Sequence, residues 1–289
     1  MKPFVYATPS DIDEALQLLV DAGEDAHLMA GGTSIILLLK QGLIEPAVLV
    51  SLAGLTELTG IRVLPDRLEI GSMVSLRTVE RHPDVRAAMP AVADAFAQVA
   101  TVRIRNQATI GGNLVHADPA QDPPPILLVH DAAVVVRGPA GDRRIELTDL
   151  FVDVFETSIA SDEIVTHVIV PRPSPSSRAV YCSFLPRTVD DYATVGVAVR
   201  LEFAADGAVV MARIALGNAG AIPFRAQVAE AALAGALPTV ARLAEVAALA
   251  ASEADPVDDI RGSASYKREM VRVWTRRALE QAVDAWPRA

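Results

Sequence analysis

The chain has 289 residues, enough for two cores, and 51% are apolar but only 4% aromatic, so its interior is aliphatic. With 36 acidic against 26 basic residues the formal charge is −10, which argues against a broad basic face for nucleic acid. A single cysteine, Cys182, excludes an internal disulfide and any all-cysteine zinc or iron–sulfur site.

In chain order, Thr8-Pro9-Ser10-Asp11 predicts a helix start, with Thr8 as cap, Pro9 in the first turn and Asp11 completing a capping box. Ile12, Ala15, Leu16, Leu19 and Val20 then share a helical face, and Gly23 stops the helix. A short strand, His27 to Ala30, runs into Gly31-Gly32, and a second helix starts at Thr33. Its aliphatic run Ile35 to Leu39 is far too short to span a bilayer. With no apolar signal region at the start, a cytoplasmic soluble protein is expected. Ala47 to Ser51 and Arg67 to Gly71 read as strands, Ser75 to Arg81 as a helix capped by Ser75, and Pro90 to Val99 as an Ala-rich helix. After a second glycine pair, Gly111-Gly112, come Pro123-Pro124-Pro125, a strand Ala133 to Arg137 closed by a glycine–proline turn, and a strand Ile164 to Val170.

Pro171-Arg172-Pro173-Ser174-Pro175-Ser176-Ser177 is the clearest linker. It divides the chain into domains 1–173 and 178–289. Beyond it, Ala179 to Phe184, Ala193 to Phe203 and Val209 to Leu216 read as strands, the last two joined by an Asp206-Gly207 hairpin turn. Helical segments follow at Phe224 to Gly235, Val240 to Ser252 and Ser263 to Ala285. The fold class is α+β, ending in a three-stranded antiparallel sheet with a helical bundle.

The two glycine pairs are the most informative feature. They sit in Ala30-Gly31-Gly32-Thr33-Ser34 and Thr109-Ile110-Gly111-Gly112-Asn113. Glycine permits positive φ and lets a ligand touch the main chain, and amides in such turns form a concave donor set that suits phosphate. Two such loops could hold one pyrophosphate from both sides, which points to a redox dinucleotide. There is no G-x-G-x-x-G after a strand, no G-x-x-x-x-G-K-[ST] and no G-x-S-x-G, so Rossmann, P-loop and serine-hydrolase readings are disfavoured. His27, His82, His116, His130 and His167 show no metal-ligand spacing; His116, near the second loop, reads as structural.

One Gly-Gly pair alone usually marks a turn. The flanks of the second are more specific: Arg103-Ile104-Arg105-Asn106-Gln107-Ala108 before it, and His116-Ala117-Asp118-Pro119-Ala120-Gln121-Asp122-Pro123 after it. With them the chain resembles the FAD-binding medium subunit of molybdenum hydroxylases, the carbon monoxide dehydrogenase and xanthine dehydrogenase family. The resemblance runs from Lys2-Pro3-Phe4 through both loops, Pro186-Arg187-Thr188 and Asp191-Tyr192-Ala193-Thr194-Val195 to Gly262-Ser263-Ala264-Ser265-Tyr266-Lys267-Arg268.

The resemblance implies a p-cresol methylhydroxylase-like FAD-binding domain of two α/β subdomains. It implies the FAD subunit of a heterotrimer that pairs into a dimer of heterotrimers. Electrons would come from [2Fe–2S] clusters on a small iron–sulfur subunit, fed by a molybdenum cofactor on a large subunit, and pass to an external acceptor. The run Leu28-Met29-Ala30-Gly31-Gly32-Thr33-Ser34-Ile35 would wrap the FAD pyrophosphate, with Thr109, Ile110, Gly111, Gly112 and Asn113 on its other side. Asp122 would meet the ribose and adenine end, where a carboxylate accepts hydroxyls. Val165 would touch the flavin through its backbone. Tyr192 would lie near the isoalloxazine ring, where an aromatic can stack and control access by acceptors. No acid–base catalytic residue is required of this chain.

Two departures from the family stand out. Thr33 replaces a His common in the carbon monoxide-oxidising branch, which argues against carbon monoxide as substrate, and Ser183 replaces a common Lys, which alters flavin tuning. The rival readings are a self-contained FAD-dependent oxidoreductase of the same fold, for which the C-terminal domain looks too small, and a flavin-free assembly subunit, against which both intact glycine loops argue.

Overall fold

The computed structural model describes residues 2–186, 188 and 191–286; Arg187 of the Pro186-Arg187-Thr188 motif lies outside them. The chain opens with a small parallel sheet in which Val48–Ser51 lies between Val5–Ala7 and Ala26–Met29. Parallel neighbours need crossovers, and the helices Ile12–Ala22 and Ile35–Gln41 provide them. The first helix starts three residues later than Thr8 and Pro9 suggest. Asp11 is its cap, accepting from the Glu14 amide at 2.8 Å, while the Glu14 carboxylate accepts from the Ser10 amide at 2.6 Å. Ile12, Ala15, Leu16 and Leu19 pack against Val50, Leu52, Leu55 and Leu58. Val20, expected on that face, is exposed. Gly23, at φ +56°, ends the helix.

A five-stranded antiparallel sheet follows, in the order Ile61–Val63, Arg67–Gly71, Ile164–Pro171, Ala133–Gly138, Gly141–Glu146. Its inner residues Leu68, Ile70, Val134, Val136, Val168 and Val170 share one core with Val79, Phe96, Leu114 and Ile126 from the covering helices. Four of those helices carry no periodic signal in the sequence: Pro83–Ala88, Val102–Gln107, Ile110–His116 and Pro123–Val129. Each is under two full turns. The Pro123-Pro124-Pro125 cluster opens a helix because proline is tolerated in the first turn.

The final sheet contains the three expected strands, Ser177–Phe184, Val195–Phe203 and Val209–Gly217, with a two-residue edge, Phe224–Arg225, beside the last. The helix expected from Phe224 therefore starts at Gln227. Its extended lead-in lets Arg225 reach both Glu230, at 2.6 Å, and Asp131, at 3.0 Å. Val195, Val197, Val199 and Leu201 pack towards the helices Gln227–Leu233, Val240–Glu253 and Ala264–Asp284. Tyr181, Ala198 and Ala215 join the core of the preceding unit instead. Among the described residues no helix is long and apolar enough to cross a membrane.

Candidate functional site

A cavity of about 730 Å³ lies where the parallel-sheet unit meets the five-stranded unit. The strand Ala26–Met29 delivers the chain to its first wall, Ala30 to Ser34, where Gly32 takes φ +75°. Among the described residues no protein group accepts a hydrogen bond from the amides of Gly31, Gly32, Thr33 and Ser34. Ser34 precedes the helix Ile35–Gln41 without a side-chain capping bond. Four consecutive amides and two hydroxyl-bearing residues thus form a donor set of the kind that binds phosphate oxygens.

The opposite wall differs from the loop expected there. Gly111 and Gly112 lie in the first turn of Ile110–His116, which Thr109 caps: its Oγ1 accepts from the Gly112 amide at 3.1 Å. The other amides are also engaged, Ile110 with the Val74 carbonyl, Gly111 with that of Ser72 and Asn113 with that of Thr109. This wall offers side chains and close packing, not free amides. A Cβ on Gly31 would lie 1.9 Å from the Gln107 carbonyl oxygen, and one on Gly111 would lie 2.6 Å from Ser72 Cβ. One on Gly112 would come within 3.3 Å of Ala30 Cβ. The glycines therefore let the two walls touch each other, beyond leaving room for a ligand.

Among the described residues, four that line the cavity carry buried polar atoms with no protein partner: His27 Nδ1, Ser72 Oγ, Asn113 Oδ1 and Gln121 Oε1. Buried polar atoms normally find partners, so a polar ligand suits this lining. Leu37, Leu38, Ile44, Ile159 and Val165 add apolar surface to it. Phe155, at φ +59°, sets its ring 5.1 Å from that of His116. Burial holds the His116 imidazole below its ordinary pKa, against the opposing charge of Asp118. A polar stretch flanked by apolar walls matches the chemistry of a dinucleotide, a charged centre with aromatic ends.

Of the residues singled out in the sequence, the cavity gathers Leu28, Ala30, Gly31, Gly32, Thr33, Ser34, Ile35, Thr109, Gly111, Gly112, Asn113, Val165 and Tyr192. Val165 gets there through a bulge between Val165 and His167, the kind of irregularity that re-aims a strand beside a site. Met29, Ile110 and Asp122 are not on its wall. Ile110 is core. Asp122 is 7% exposed, and its Oδ1 accepts from the Tyr181 hydroxyl at 2.6 Å. Burial pushes its carboxyl up to about 6, against the lowering effect of that bond. The neighbouring Gln121 lines the cavity in its place. Ser72 and Phe155 carried no sequence signal; His27 and Gln121 were visible only as a histidine without metal spacing and as part of the second motif's flank.

Comparison with known proteins shows the family. A family model described as the FAD binding domain in molybdopterin dehydrogenase matches residues 2–173, and one for the CO dehydrogenase flavoprotein C-terminal domain matches residues 181–282. The chain is 33% identical to the 6-hydroxypseudooxynicotine dehydrogenase complex subunit alpha of Paenarthrobacter nicotinovorans, over 98% of this chain and 96% of that one. It is 34% identical to the carbon monoxide dehydrogenase medium chain of Afipia carboxidovorans, over 96% of each. The structure of carbon monoxide dehydrogenase from Hydrogenophaga pseudoflava superposes with a TM-score of 0.96 at 33% identity, covering 99% of this chain and 100% of that one. By fold and sequence, the chain belongs to the FAD-binding medium subunits of the molybdenum hydroxylases.

Proposed function

We propose that this chain serves as the flavoprotein subunit of a heterotrimeric molybdenum hydroxylase, with FAD held in the 730 Å³ cavity. The four unpaired amides of residues 31–34 carry the reading. They and the Thr33 and Ser34 hydroxyls would hold the pyrophosphate. Ser72, Asn113 and Gln121 would answer the polar groups beyond it, while Thr109, Gly111 and Gly112 close the opposite wall. Leu28, Ala30 and Ile35 would pack beside the cofactor, and Val165 and Tyr192 would flank the isoalloxazine ring. Met29, Ile110 and Asp122 support the frame without touching it.

FAD, when bound, supplies the electron-carrying chemistry. The chain supplies binding, orientation and control of access. The electron donor would be [2Fe–2S] clusters on a small partner subunit, served by molybdenum on a large one, in a dimer of heterotrimers in the cytoplasm. Within the chain, residues 1–173 would be the FAD-binding domain and 178–289 the C-terminal domain. Relatives whose names cite quite different small molecules share about the same identity with this chain, in keeping with substrate chemistry on another subunit.

Acid extraction should release about one FAD per chain. Gly31→Ala, whose Cβ would meet the Gln107 carbonyl, should abolish retention; normal FAD content in that variant would move the site elsewhere. A tag on this chain, expressed with its neighbouring genes, should capture a cysteine-rich small subunit and a much larger one. Substrate-dependent dye reduction should require all three. A chain that purifies alone and oxidises an organic substrate would instead be a self-contained oxidoreductase.

A further inference from the structure

Tyr192 lines the cavity with its residue 46% exposed, on the segment that leads into the strand Val195–Phe203. A half-exposed tyrosine in a loop has no fixed ring position unless something holds it. Arg261, 69 residues further along the chain, does so at three points. Its Nη2 bonds Asp191 Oδ1 at 2.9 Å, its Nε donates to the Tyr192 carbonyl at 3.3 Å, and its guanidinium carbon lies 5.5 Å from the centre of the Tyr192 ring. A guanidinium can do this because its edge is a rigid fork of donors and its face stacks on aromatics.

Arg261 is itself held. Asp259 Oδ1 accepts from the Arg261 amide at 2.8 Å, and Asp259 Oδ2 pairs with Lys267 Nζ at 2.8 Å. The backbones of Asp259 and Gly262 exchange hydrogen bonds in both directions, closing the turn around Arg261. Lys267 is 1% exposed, on the long helix Ala264–Asp284. A buried ammonium without a partner is strongly unfavourable, so the pair fixes where the Asp259 carboxylate sits more than it adds stability. The line of contacts therefore runs from a rigid helix, through Lys267, Asp259 and Arg261, to one ring at the cavity.

We propose that Arg261, oriented by Asp259 and Lys267, is a positioning residue that holds the Tyr192 ring at the cavity. Resting on the FAD reading, this clamp sets how closely the ring covers the flavin and so how readily external acceptors reach it. Lysine at 261 keeps the charge but not the fork and the flat face, so it restores the clamp only in part.

The test has one arm that needs no flavin. The full chain is labelled with 3-fluorotyrosine and its four tyrosine resonances are recorded, that of Tyr192 being assigned by its loss in Tyr192→Phe. In the wild type the Tyr192 signal should be displaced from that of an unstructured fluorotyrosine; Arg261→Ala should move it to the unstructured position, and Arg261→Lys part of the way. In the FAD-loaded chain, Arg261→Ala should raise flavin fluorescence roughly twofold, because stacking on tyrosine quenches it, with FAD content unchanged. The double variant Arg261→Ala/Tyr192→Ala should show no more than Tyr192→Ala alone, since the two act as one unit. An unmoved fluorine resonance in Arg261→Ala overturns the clamp, and if that variant does not fold, an unmoved resonance in Arg261→Lys overturns it equally. A moved resonance with unchanged flavin fluorescence overturns the role at the flavin. A wild-type chain that binds no FAD defeats the functional reading, while the fluorine spectrum still decides the clamp.

Discussion

Asp122 lies one residue from the cavity wall and does not reach it. Its carboxyl is sealed against the Tyr181 hydroxyl, in the core that joins the first half of the chain to the last sheet. Burial raises its pKa from 3.8 to about 6. A carboxyl whose folded value exceeds its unfolded one favours the fold while protonated. That contribution is fully present below pH 4 and is lost as pH rises through 6. Denaturant unfolding should therefore show the wild type losing about 2 kcal/mol, relative to Asp122→Asn, between pH 4 and pH 7; parallel pH profiles would show that the carboxyl is solvated. The residue also shows where motif reading stops. The run His116 to Pro123 identifies the neighbourhood of the cavity, but whether Gln121 or Asp122 faces it depends on where the helix Pro123–Val129 starts. That start is set by tertiary packing.

At the scale of elements, the signals that survived are those with a local mechanism. Ser75 caps its helix, Gly23 stops one with positive φ, and Asp206-Gly207 turns a hairpin whose strands pair as expected. The helices with no periodic signal in the sequence are six or seven residues long, too short for a 3.6-residue period to repeat. Such helices are marginal alone, and every residue of Pro123–Val129 is buried, so packing sustains it. The helix that carries Gly111 and Gly112 is of this kind, and its cap has correspondingly more to do. Thr109→Ala frees the Gly112 amide and should cost about 1 kcal/mol of stability, together with weaker FAD retention. Thr109→Ser should restore both, because the capping oxygen returns. Thermal denaturation and FAD titration on the three proteins test this, and an alanine variant that matches the wild type in both would show that the glycine turn needs no cap.

For the whole molecule, the linker at residues 171–177 divides the sequence more sharply than it divides the core. The strand Val195–Phe203 is buried on both faces, Val197 and Val199 among the C-terminal helices and Ala198 in the core that holds Ile126 and Leu127. Pro125 packs so closely on Gly217 that a Cβ there would lie 2.9 Å from its ring. At the end of the same helix, Asp131 meets Arg200 at 2.7 Å, Arg213 at 3.2 Å and Arg225 at 3.0 Å, one carboxylate from the first half holding three strands of the second. Arg200 is buried, so removing that carboxylate leaves a desolvated guanidinium without its counter-charge. Asp131 has φ +52°, a backbone that Asn tolerates, so Asp131→Asn removes the charge without straining the turn. Because Asp131 is partly exposed, the expected cost is about 2 kcal/mol. Both tryptophans, Trp274 and Trp286, lie in the C-terminal half, whereas both glycine loops lie in the first. Tryptophan fluorescence and flavin release thus report on different halves of one chain. If the shared core makes them one cooperative unit, the two midpoints coincide in the wild type and fall together in Asp131→Asn. A tryptophan midpoint that falls while flavin release stays where it was would mean that the halves unfold separately.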